Sequence, residues 1–79
     1  MVSAYILVQT NVGKAVEVVK AINEIPGVRS ADDVTGPYDV IVLAEAETMD
    51  ELGGLVVAKV QQVAGITRTV TCPVVRIGH

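Results

Sequence analysis

The chain has no Phe and no Trp, and its aromatics stop at Tyr5 and Tyr38. Single-stranded nucleic acid is gripped by aromatic platforms beside a positive groove. The charge balance offers no such groove, because six Lys and Arg face nine Asp and Glu for a net charge of −3, and the basic residues are scattered. Direct binding to nucleic acid is therefore not expected. Cys72 is the only cysteine, which excludes an internal disulfide and makes a cytoplasmic setting the expectation. With His79 the one histidine, at the very end, no convincing metal-ligand set exists. A long apolar run is also missing. The opening "MVSAYILVQT" has no basic n-region and is too short for a signal or a membrane span. Neither a membrane partner nor a cofactor is expected.

What is present is aliphatic. Of 79 residues 51% are hydrophobic, yet a chain this short buries only about 60% of its unfolded surface. The surplus points to association.

Two similar halves organise the chain, which is expected to form one domain over residues 1–79. "SAYILVQT" (3–10) has strand composition. From Lys14 onward Ala15, Val18, Val19, Ile22 and Ile25 form one helical stripe, with Lys14, Glu17, Lys20 and Glu24 opposite. Pro26 and Gly27 stop it. "VRSADDVT" (28–35) is a polar strand and "YDVIVLAEA" (38–46) the strongest strand. Thr48 and Glu51 have capping-box spacing, and Leu52, Val56, Val60 and Val63 carry a second helix with Leu55 alongside. "RTVTCPVVRI" (68–77) is the last strand. The order β-α-β, β-α-β predicts an α+β, ferredoxin-like sandwich: a four-stranded antiparallel sheet with two helices on one face. Strands 1 and 3 are apolar on both faces and belong in the centre, while strands 2 and 4 are mixed and belong at the edges.

Two helices cover one face only. The other would leave Tyr5, Leu7, Ile41 and Leu43 in water, although burying such side chains is worth roughly 1.5–3 kcal/mol each. These residues are the expected dimer interface, with a second copy across a two-fold axis giving a dimeric α/β barrel-type association.

Chemistry is sparse. In "TGPYD" (35–39) a Gly-Pro turn leads into Tyr38 and Asp39. Asp39 either accepts local backbone hydrogen bonds, or it helps form a small polar pocket in which it takes an ammonium and amides near Gly36 take an anion. Asp32 and Asp33 are neighbours on a strand and read as solvated edge charges. Thr67, Thr69 and Thr71 put three hydroxyls on one strand face, either as ordinary β propensity or as a pocket lining. Gly53 and Gly54 inside a helix cost up to about 1 kcal/mol each, which implies a kink, a slack turn or close approach by another subunit. Cys72 reads as a structural thiol. No catalytic residues are expected.

"IPGV", "TGPYDVIV" and "VAGITRTVT" together resemble the effector-binding half of the Lrp/AsnC family, the regulation of amino-acid metabolism (RAM) domain, over about residues 2 to 77. The resemblance implies a homodimer assembling into a higher oligomer, with a small effector such as an amino acid bound in clefts where dimers meet. Mapped onto this sequence it singles out Gly36, Tyr38 and Asp39, with Thr67, Thr69 and Thr71 beside them. Family regulators carry an N-terminal helix-turn-helix domain. This sequence opens on strand 1 and resembles a stand-alone effector domain, with a full-length Lrp/AsnC regulator as a further partner it could modulate. Two other readings stay open: a small dimeric ferredoxin-like enzyme of the monooxygenase or isomerase kind, and a purely structural assembly module.

Overall fold

The computed structural model describes residues 1–75. Its elements are β1 (Val2–Thr10), α1 (Ala15–Asn23), β2 (Val28–Asp33), β3 (Val40–Ala46), a second helix α2 and β4 (Ile66–Pro73). The helix α2 runs through three consecutive segments: α-helical Met49–Glu51, π-helical Leu52–Val57 and α-helical Ala58–Gln61. The sheet order is β2-β3-β1-β4, antiparallel throughout. The two doubly apolar strands are thus central, as their composition predicts.

Period-two alternation decides the faces. Ala4, Ile6 and Val8 of β1 pair with Ala44, Val42 and Val40 of β3, and all six are fully buried. Against them lie Val18 and Ile22 from α1 and Leu52, Val56 and Val60 from α2. The intervening residues Tyr5 and Leu7 pair with Leu43 and Ile41 and stand on the far side, under no helix.

The α1–β2 and α2–β4 joints are equivalent. Gly27 and Gly65 both adopt φ +97°, a conformation that strains any L-residue. A Cβ on Gly27 would sit 2.5 Å from Val56 Cγ2, and one on Gly65 would sit 3.1 Å from Val18 Cγ2. Each half's joint glycine therefore seats the other half's helix. Gly27 and Gly65, Val18 and Val56, Ile22 and Val60 are each 38 positions apart.

Three details differ from the sequence reading. The strand at 28–35 ends at Asp33, while β3 begins at Val40, so Tyr38 and Asp39 belong to the loop. Strand β4 starts two residues before the expected Arg68 and closes at Pro73, so Val74 and Val75 fall outside it; Arg76 and Ile77 lie outside the described residues, as does His79. The second helix is not regular: Ala58 N–H bonds to Gly53 O, the i→i+5 bond of a π turn. Gly53 and Gly54 lie in this widened turn, where a Cβ would meet nothing within 4 Å. Thr48 caps the helix, its Oγ1 accepting from Glu51 N–H at 3.1 Å.

Candidate functional site

The loop between β2 and β3 is short, turned by Gly36 and Pro37, and tied down from both sides. Asp39 N–H donates to Val8 O at 2.8 Å, and Val34 N–H donates to Asp39 O at 2.8 Å. The Asp39 carboxylate accepts through Oδ2 from Thr10 N–H at 2.8 Å and, more weakly, from the Thr10 hydroxyl at 3.4 Å. Gln9 Nε2 donates to Pro37 O at 3.1 Å. The turn-local hydrogen bonds expected of Asp39 are replaced by a long-range one: its carboxylate satisfies the last backbone donor of β1, 29 positions away, just where the ladder to β4 breaks register. Among the described residues only Oδ2 is engaged, which leaves Oδ1 with its acceptor capacity.

Beside this loop the open sheet face sinks into a depression of about 330 Å³, lined by Leu7, Val34, Thr35, Gly36, Pro37, Tyr38 and Ile41. Its lining is chiefly aliphatic, with the Tyr38 ring as one wall. The pocket is accordingly apolar, where one of the two readings of the sequence was a small polar one. Val34, Pro37 and Tyr38 of the loop and Leu7 and Ile41 of the central strands are its apolar walls.

The threonines divide. Thr67 has no partner in the ladder, because the register steps from Thr10 opposite Ile66 to Gln9 opposite Arg68. It lies at the same end of the sheet as Asp39. Thr69 is opposite Val8 and Thr71 opposite Ile6. Cross-strand partners share a face, so both stand on the helix side, where Gln61 Nε2 donates to Thr69 Oγ1 at 3.3 Å. Within one protomer, then, Gly36, Tyr38 and Asp39 share the β2–β3 loop, Thr67 lies at the same end of the sheet but beyond β1, and Thr69 and Thr71 stand on the opposite face. Tyr5, Leu7, Ile41 and Leu43 form one contiguous cross-strand patch, in which Tyr5 is 47% exposed. Gln9 was missed by the sequence reading. Its signal was there, as the lone amide side chain of β1, next to the strand's last residue.

A second hollow of about 300 Å³ lies at the other end of the sheet, between the Gly27 joint and α2, with Glu47, Glu51, Leu55 and Lys59 on its walls. Glu45, also at its edge, is engaged by Arg29 at 3.1 Å. Among the described residues no group of three or more His, Cys, Asp or Glu could hold a metal ion. No helix among them is long and apolar enough to cross a membrane.

Comparison with known proteins agrees with this geometry. The family model of the Lrp/AsnC ligand binding domain matches residues 3–77. An uncharacterized HTH-type transcriptional regulator of Pyrococcus furiosus is 34% identical over 55 residues, which span 70% of this chain and 37% of that regulator. The chain thus spans little more than a third of the curated relative. Among solved structures, TTHA0845 from Thermus thermophilus superposes with a TM-score of 0.88 at 30% identity, covering 98% of this chain and 96% of that one. A transcriptional regulator from Neisseria meningitidis, solved as a complex with L-Met, has a TM-score of 0.80 at 20% identity, covering 99% of this chain and 52% of that one. At that identity the likeness shows the fold alone.

Proposed function

Because the chain belongs to the Lrp/AsnC ligand-binding domain family, we propose that it is a regulatory module that binds a small effector, an amino acid, in the depression beside the β2–β3 loop. Its copies pair through the open sheet face, over Tyr5, Leu7, Ile41 and Leu43, and pairs assemble further, so that a neighbouring copy walls off the depression. Asp39 offers Oδ1 to the effector's ammonium, while Gly36 and Tyr38 shape the loop. Thr67 borders the same end, and Thr69 and Thr71 reach an effector only from a neighbouring copy. The module acts by binding rather than catalysis, and its output is a change in the assembly of a regulator of the same family.

One observation carries this reading. The loop is pinned to β1 at Val8, Gln9 and Thr10, yet it leaves an apolar hollow beside it, and Asp39, next in the chain to the lining Tyr38, keeps Oδ1 without a partner among the described residues. The L-Met complex of the Neisseria regulator supports an amino acid as the kind of effector. The test joins light scattering on the purified chain with calorimetric titration of the twenty amino acids. An oligomer that binds one or a few of them is expected. A confirmed oligomer that binds none at millimolar concentration removes the effector role.

A further inference from the structure

The break in register at the start of β4 has a chemical result. Ile66 packs against the core from the helix side. Were the ladder regular from there, Arg68 would fall two places on, on that same side. Instead Thr67 is skipped, and Arg68 pairs with Gln9. Gln9 shares its face with Leu7, so the bulge transfers Arg68 to the open face. Bulges commonly re-aim a side chain beside a functional site.

Cross-strand partners hold their Cβ atoms roughly 5 Å apart, and the amide of Gln9 reaches Pro37 O at the wall of the depression. Arg68 is therefore one strand spacing from Gln9, on the same face as Leu7, which lines the depression. It is exposed, and among the described residues it makes no ion pair. Lys14 caps α1 and Lys20 lies within it, while Lys59 lies on α2, all on the other layer.

We propose that Arg68 holds the carboxylate of the effector and that the effector is an α-amino acid with an aliphatic side chain. The inference rests on the effector reading above and assigns its three contacts. The planar guanidinium fork matches a carboxylate bidentately. Asp39 Oδ1 takes the ammonium. The aliphatic side chain enters the hollow between Leu7, Val34, Pro37 and Ile41, where a charged side chain would lose its hydration with no partner. Gln9 is a positioning residue, holding the loop at the distance that separates the two charged contacts.

The test titrates the full chain, native and as Arg68→Gln and Arg68→Lys, with L-leucine, L-leucinamide, L-aspartate and L-lysine. Arg68 is an exposed edge-strand residue, and circular dichroism verifies that each variant is folded. Native protein is expected to prefer leucine. Arg68→Gln should weaken leucine about ten- to hundredfold, the usual effect of losing a hydrogen bond to a charged group, and Arg68→Lys less. Leucinamide, which has no carboxylate, should bind native and Gln variant alike. Equal leucine binding by native and Gln variant would overturn the role of Arg68 while leaving the effector reading intact. Preference for aspartate or lysine would overturn the aliphatic class. Assembly that resists leucine but is broken by Val34→Asp would show the hollow filled by a second copy, which overturns the proposal. Failure of every amino acid to bind removes the effector reading itself.

Discussion

The two faces of the sheet are made of the same kinds of residue. On one, Ala4, Ile6, Val8, Val40, Val42 and Ala44 are sealed to 0% exposure by five side chains from α1 and α2. On the other, Tyr5, Leu7, Ile41 and Leu43 form an apolar patch just as continuous, paired across the same two strands, with no layer over it. Composition does not separate the faces; cover does. Within the protomer Tyr5 is exposed while Leu7, Ile41 and Leu43 are half-buried, so a partner on this face would add only part of the roughly 1.5–3 kcal/mol that full burial of each is worth. The depression beside the β2–β3 loop is a part of this face whose shape would outlast flat packing against a second copy.

The strongest way to sharpen the comparison is to truncate one residue on each face. Ile6→Ala opens a cavity in a fully buried site, and an expected loss of about 2–5 kcal/mol should appear as a fall in the urea midpoint at every protein concentration. Leu7→Ala, one position along, should leave the protomer's own packing nearly untouched. Its loss should scale with protein concentration, because it weakens association rather than folding. Equal, concentration-independent losses for the two variants would mean that both faces are sealed within a single protomer.

A smaller effect is expected at the rim. Asp39→Ala leaves Thr10 N–H without its acceptor, and hydrogen bonds to charged groups are worth about 1.5–3 kcal/mol. Partial exposure places the expected loss of stability at the lower end, measured by urea unfolding. Asp39→Asn keeps an amide oxygen for Thr10 and should recover most of that stability while still failing to bind an ammonium. Separation of fold from binding by this pair would show that the two carboxylate oxygens have different duties.

The fold was legible in the sequence because its signals are local and redundant. The stripe through Ala15, Val18 and Ile22, the stop at Pro26 and Gly27, and the doubly apolar strands each name an element, and the repeat names their arrangement. The site was only half legible. "TGPYD" marked the loop, but the sequence could not show that Asp39 spends one oxygen on Thr10, a residue 29 positions away. Alternation put Thr67, Thr69 and Thr71 on one face, whereas the bulge at Thr67 takes that residue out of the ladder and turns Arg68 toward the open side. A one-residue register shift leaves no mark in composition. It is set by which of Ile66 and Arg68 the core accepts, and that is a tertiary decision.

The smallest expected effect has the opposite sign and bears on the helix-covered side. Gly53 and Gly54 occupy the π-helical turn of α2, exposed, with open space where a Cβ would go. Nothing inside the protomer requires glycine there. Gly54→Ala should therefore stabilise the protomer by about 0.5–1 kcal/mol, through reduced freedom of the unfolded chain and better helix propensity, seen as a higher urea midpoint with unchanged assembly mass. Three readings were open for this pair: a kink, a slack turn and an approach by another subunit. The π turn accounts for the first. A Gly54→Ala protomer that is more stable yet assembles less would select the third, since only a backbone from outside the protomer could object to one methyl group at a site that is empty within it. In that case the covered side of the sheet would also carry a contact between copies, and the contrast between the two faces would become one between a face that pairs protomers and a face that joins the pairs.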